Sequence, residues 1–131
     1  MATEMIEVGE RIRTLHKRDP RFAPEAYHFV FEALAHTLGR VGERRHLSAR
    51  ELLEGIRAYA PLKFGRLSLL VLNHWGVRAT EDFGEIVYNL IEAKLMGKTD
   101  TDSKEDFRAV YDFHEPFGAG EPLKVEWGDE G

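Results

Sequence analysis

The chain contains no cysteine, which excludes a disulfide framework, a thiolate zinc site and a cysteine nucleophile. Such a composition suits a reducing compartment, and the cytoplasm is the expected location. No stretch approaches the ~20 consecutive apolar residues that a membrane-crossing helix needs. Met1 to Glu10 carries Glu4, Glu7 and Glu10 where an export signal has a basic region, so neither a membrane partner nor export is expected. Serine occurs only at Ser48, Ser68 and Ser103, and none lies in the Gly-x-Ser-x-Gly elbow of a serine hydrolase. Gly118 and Gly120 lack the Lys-Ser/Thr ending of a phosphate loop. Internal repeats and low-complexity tracts are missing too. Nothing in the sequence demands a cofactor, and no catalytic residue is assigned.

What is present is a balanced globular composition: 131 residues, 43% hydrophobic and 31% charged, with a net charge of -5. One domain spanning 1–131 is expected. The charge is unevenly divided. Residues 1–66 hold 12 Lys/Arg against 9 Asp/Glu, whereas residues 67–131 hold 6 against 14. This polarity can steer charged partners or pair two copies head to tail as a homo-oligomer.

Apolar residues at helical spacing predict five helices. Met5, Val8, Ile12 and Leu15 give the first a narrow stripe that ends before Asp19-Pro20. After Pro24, residues Tyr27, Val30, Phe31, Leu34, Leu38 and Val41 cover much of a second, central helix, closing near Gly39 or Gly42. Ser48 and Glu51 read as a capping box for a third helix that ends at about Pro61. Leu67 to Trp75 is apolar enough for a buried fourth helix. Gly76 breaks it, and Thr80 caps a fifth with Phe83, Ile86, Val87, Leu90 and Ile91 inward, running to about Met96.

Beyond Gly97 the period shortens. Phe107, Ala109, Tyr111 and Phe113 alternate with Arg108, Val110, Asp112 and His114, and Leu123, Val125 and Trp127 with Lys124 and Glu126, and a small C-terminal β ribbon is expected. A sixth helix capped by Ser103 is the rival for 107–113. The fold class expected is therefore mainly α: a five-helix compact domain with a small C-terminal β ribbon, winged-helix-like in its second half. Residues 1–45 would hold the N-terminal helices, 46–113 the winged-helix-like unit, and 114–131 a tail or last strand.

Three constellations bear on function. His28, Glu32 and His36 share one helical face and are candidate metal ligands, but they span about 12 Å of axis, so a single ion would need ligands from another helix. Asp100, Asp102, Glu105 and Asp106 form an acidic cluster. Glu105 and Tyr111 occupy the positions where a calcium loop needs glycine and glutamate. The partner-binding candidates are Arg40, Arg44, Arg45, His46 and Arg50, gathered around the loop before the third helix. In a winged-helix unit the fifth helix would read nucleic acid, yet its start carries Glu81, Asp82 and Glu85, the wrong sign for phosphate.

The runs Pro24-Glu25-Ala26-Tyr27, Phe29-Val30, Ala33-Leu34, His46-Leu47-Ser48 and Glu51-Leu52-Leu53-Glu54-Gly55-Ile56 stand in this chain together with Trp75-Gly76, Thr80 to Val87, Asp102-Ser103 and Asp106-Phe107. Over residues 19 to 117 this pattern resembles the Minf-type family of uncharacterised conserved hypothetical proteins of planctomycete-like and verrucomicrobium-like bacteria. The resemblance implies a bacterial, cytoplasmic protein and brings no activity, ligand or catalytic residue with it. The expected function is a noncatalytic protein-binding or adaptor domain. The alternatives are nucleic-acid or ribosome association through the arginine loop, and metal binding through His28, Glu32 and His36.

Overall fold

A computed structural model describes residues 2–42, 45–97 and 103–118, with side chains from Glu7 onward. Helix α1 (Ala2–Arg18) buries Ile12 and Leu15 and stops where Asp19-Pro20 forbids another turn. Helix α2 (Pro24–Val41) starts on Pro24 and closes at Gly42, whose φ of 86° is left-handed and whose N–H reaches the Leu38 carbonyl. It buries Ala26, Tyr27, Phe29, Val30, Ala33 and Thr37, as its broad apolar coverage implies. Phe29 is the hub: its ring centroid lies 5.7 Å from those of Tyr59, Phe64 and Trp75 and 6.4 Å from that of Phe83.

Helix α3 (Ala49–Phe64) carries the expected capping box but does not stop at Pro61. Pro61 lies inside the helix, removing one ladder bond, and the chain runs one further turn to Gly65, whose N–H returns to the Pro61 carbonyl. The two central helices cross closely at Gly55, where a Cβ would lie 1.9 Å from Thr37 Oγ1. A 3-10 turn (Gly65–Leu67) leads into α4 (Ser68–His74). Ser68 Oγ donates to the Ala60 and Gly65 carbonyls, at 3.1 and 2.7 Å, and folds α4 back on the end of α3.

Helix α4 corrects an expectation. It is not buried throughout; only Ser68 and Leu72 are, while Leu70 faces solvent. It ends at Trp75-Gly76-Val77, where Gly76 N–H reaches the Asn73 carbonyl and Val77 N–H the Leu72 carbonyl. At φ 91°, Gly76 lies so close to the α1–α2 loop that a Cβ would stand 2.1 Å from the Arg21 carbonyl oxygen.

Helix α5 (Thr80–Glu92) is capped differently from the sequence reading. Ala79 is the N-cap, Asp82 accepts from the Arg78 and Ala79 N–H groups, and the buried Thr80 hydroxyl instead accepts from Val110 N–H at 3.2 Å. The helix ends at Glu92, short of Met96, because Lys94 turns left-handed at φ 63° and Leu95 N–H closes onto Leu90. Asp19, held between Arg21 and Asn89, ties α5 to the α1–α2 loop, and Asn89 Nδ2 also donates to the Tyr27 hydroxyl.

The expected strand over 107–113 is absent. A 3-10 helix (Lys104–Phe107) and a short α6 (His114–Phe117) flank irregular backbone, and no strand occurs among the described residues. The second ribbon segment, Leu123 to Trp127, lies outside them. Strict alternation would place residue 109 with Phe107 and Phe113. Instead Phe107, Phe113 and Phe117 are buried, each burial worth about 1.5–3 kcal/mol, while Ala109 is exposed at φ 50° where the backbone turns. Phe83, Phe113 and Phe117 pack in series, and the Tyr111 hydroxyl donates to the Leu53 carbonyl at 2.6 Å. The molecule is mainly helical, with one core running from α1 to α6, and the wing strands that the expected winged-helix-like unit needs do not occur among the described residues.

Candidate functional site

Side chains of α2, α3 and α5, with the segment that leads into α3, line a partly enclosed apolar cavity of about 170 Å³. Leu34 and Leu38 of α2 form one wall and Val87, Tyr88 and Ile91 of α5 another. Leu52 and Phe107 line its depth, with Met96 and Gly97 at one edge and residues 45–49 at the other. The wide apolar arc of α2 explains this wall. Leu34 and Leu38 lie beyond the face buried against α3, and remain half-buried.

The mouth is built by the capping box. Ser48 Oγ accepts from Glu51 N–H at 3.1 Å, while Ser48 N–H donates to Glu51 Oε1 at 2.9 Å. The same carboxylate receives both ends of the Arg45 guanidinium, Nη1 to Oε1 at 3.1 Å and Nη2 to Oε2 at 2.9 Å, and Arg45 Nη1 also donates to the His46 carbonyl. Arg45, then the Ser48 N–H, holds the Glu51 carboxyl down at about 2. One carboxylate thus caps a helix and fixes the approach to the cavity.

The five partner-binding candidates do not gather into one patch. Arg45 and His46 line the mouth, and Arg40 is exposed on the last turn of α2. Arg50 faces a separate shallow hollow with Glu105, Asp106 and Arg108, across the Ser48-Ala49 backbone. Arg44 lies outside the described residues. The capping geometry causes the split: once Ser48 starts the helix, Arg50 enters its first turn and turns away from the loop.

The metal candidates are not brought to a common point. Glu32 accepts from the Tyr59 hydroxyl at 3.1 Å and pairs with Lys63, both from α3. The His36 ring lies tilted against Tyr59, centroids 4.9 Å apart, its Nε2 buried without a hydrogen-bond partner among the described residues, and His28 is exposed. Among the described residues no group of three His, Cys, Asp or Glu is placed to hold a metal ion. Of the acidic cluster, Asp100 and Asp102 lie outside those residues, and Asp106 accepts from Ser103 N–H at the start of the second 3-10 helix.

The cavity itself was missed by the sequence reading. Its walls come from α2 and α5, far apart in the chain, and only the apolar excess of α2 hinted at them. No helix among the described residues is long and apolar enough to cross a membrane. No protein family, curated protein or solved structure matches the chain. The arrangement is a mainly helical fold with an apolar cavity beside the Arg45–Glu51 pair and His46.

Proposed function

We propose that this chain is a noncatalytic protein-binding or adaptor domain that takes an apolar side chain of an acidic partner into the cavity between α2, α3 and α5. The observation that carries this reading is the cavity's chemistry: an aliphatic and aromatic interior with Arg45 and His46 at the mouth. Its volume of about 170 Å³ matches one large side chain; apolar cavities of about 150 Å³ accept a benzene ring. Anchors in such desolvated recesses dominate the energy of protein contacts, and flanking charge sets orientation and encounter rate. Ser48 and Glu51 serve the N-terminus of α3, so the polar atoms at the mouth act as a frame rather than as reactants.

Two features weigh against the alternatives. The outer side of α5 offers no excess of positive charge to a phosphate-lined groove: Glu81 is exposed there, and Glu85 and Glu92 hold Arg21, Lys104 and Arg18 in ion pairs. Glu32, central to the metal set, is held by Lys63 and Tyr59.

The test places a photo-crosslinking residue at the exposed Arg40 and fills the cavity with Leu38→Trp in a second chain. The reading expects a protein crosslink at an apolar residue with acidic neighbours, resistant to nuclease. Its yield should fall about tenfold, the equivalent of 1.4 kcal/mol, in the filled variant at unchanged helicity. Crosslinking indifferent to Leu38→Trp, or abolished by nuclease, would reject it.

A further inference from the structure

Outside the cavity, exposed apolar surface concentrates at one corner. Leu62 is 71% exposed, Leu70 64% and Leu67 44%, and all three project from the end of α3, the 3-10 turn and the start of α4, which Ser68 ties together. A soluble surface seldom leaves three large aliphatic side chains together without a use. The corner also has a charge. Residues 55–80 contain Arg57, Lys63, Arg66 and Arg78 and no Asp or Glu. Lys63 is taken by Glu32 and Arg57 by Glu115, whereas among the described residues no carboxylate pairs with Arg66, the neighbour of Leu67 in the 3-10 turn.

Residues 119–131 have the complementary composition: Glu121, Glu126, Asp129 and Glu130 against Lys124 alone, around Leu123, Val125 and Trp127. In an extended segment, period two puts Glu121, Leu123, Val125, Trp127 and Asp129 on one side, three apolar groups bracketed by two acids. The segment leaves the described fold at the right place. It follows Gly118, and α6 packs against both α3 and α4. Five residues reach about 17 Å at 3.3–3.6 Å each, enough to bring Leu123 from Gly118 across the width of a short helix.

We propose that residues 121–127 of this chain dock on the corner formed by Leu62, Leu67 and Leu70, within the same molecule. Tethering raises the local concentration of the segment to the millimolar range, so modest apolar contact and the pairing of its acids with Arg66 suffice to seat it. The corner is separate from the α2/α3/α5 cavity, and the inference stands whether or not that cavity binds a partner.

The absence of cysteine makes the test direct. A nitroxide label on Gly128→Cys in the full chain should broaden the amide signals of residues 62–71 at least twofold more than those of Leu34, Leu38 and Ile91. The effect should vanish in Leu70→Asp and in Leu62→Asp, both surface changes whose fold is checked by an unchanged melting temperature. It should also be missing when labelled, unenriched chain is mixed with unlabelled, isotope-enriched chain. Broadening at the cavity, at the groove lined by Arg78 and His114, in the mixed sample, or nowhere would each overturn the proposal.

Discussion

Replacing Gly55 by alanine sets two effects of opposite sign against each other. In an open helix the change stabilises, because alanine is better than glycine by about 0.8–1 kcal/mol. At the α2–α3 crossing, the new methyl would stand 1.9 Å from Thr37 Oγ1, 3.0 Å from its Cβ and 3.1 Å from its Cγ2. Rotating Thr37 does not clear the space, since its Cβ, which rotation leaves in place, already stands at 3.0 Å and the hydroxyl would forfeit its 2.7 Å bond to the Ala33 carbonyl. The helices must separate, and overpacking of this kind costs about 1–3 kcal/mol, occasionally more. With the cost at the upper end of that range because of the 1.9 Å approach, about 3 kcal/mol, less the propensity gain of about 1, we expect Gly55→Ala to be destabilising by about 2 kcal/mol net, seen as a melting temperature lower by roughly 6–10 °C for a chain of this size. In a Thr37→Ala background the nearest obstacle recedes to 3.0 Å, and the penalty of Gly55→Ala should drop by at least half, a coupling measurable in a double-mutant cycle by urea denaturation. Gly55→Ala that stabilises the protein, or strictly additive variants, would refute the close crossing of α2 on α3.

Two further outcomes follow from the same geometry. Glu51 titrates near 2 in the folded chain against an ordinary value of 4.5, because Arg45 and the Ser48 N–H favour its charged form. The unfolded chain therefore binds the extra proton, so this contribution is complete above about 4.5 and is lost as pH falls toward 2. Glu51→Gln should flatten the fall of the urea midpoint across that window, and a slope identical to the unmodified chain would discount the Arg45–Glu51 pair. Gly76→Ala combines a left-handed φ, which disfavours a side chain by about 1–2 kcal/mol, with a 2.1 Å collision against the Arg21 carbonyl. It should give the larger loss of the two glycine substitutions in thermal unfolding, and an unchanged midpoint would contradict the contact between the α4–α5 turn and the α1–α2 loop.

The helices legible from residue order alone are those that are amphipathic and bounded by local signals. Pro24 and Gly42 bracket α2, Ser48 and Glu51 open α3, and Gly76 closes α4, since each acts through backbone groups within a few residues. Local signals failed where a distant partner competed. Pro61 could sit inside a helix because α4 folds back through Ser68, and Thr80 gave up its cap to bind Val110. The alternation at 107–113 yielded to Phe107 and Phe113, which find separate places in the core, Phe107 against Gly84 and Phe113 against Phe83 and Phe117. The arginine loop shows the same division: its charges were readable, but whether they shared one surface depended on how α3 enters the fold. Only tertiary packing could decide that Leu34 and Leu38 wall a cavity with α5 while Leu62 and Leu70 stay outside, because aliphatic side chains look alike in a sequence and differ only in what comes to cover them.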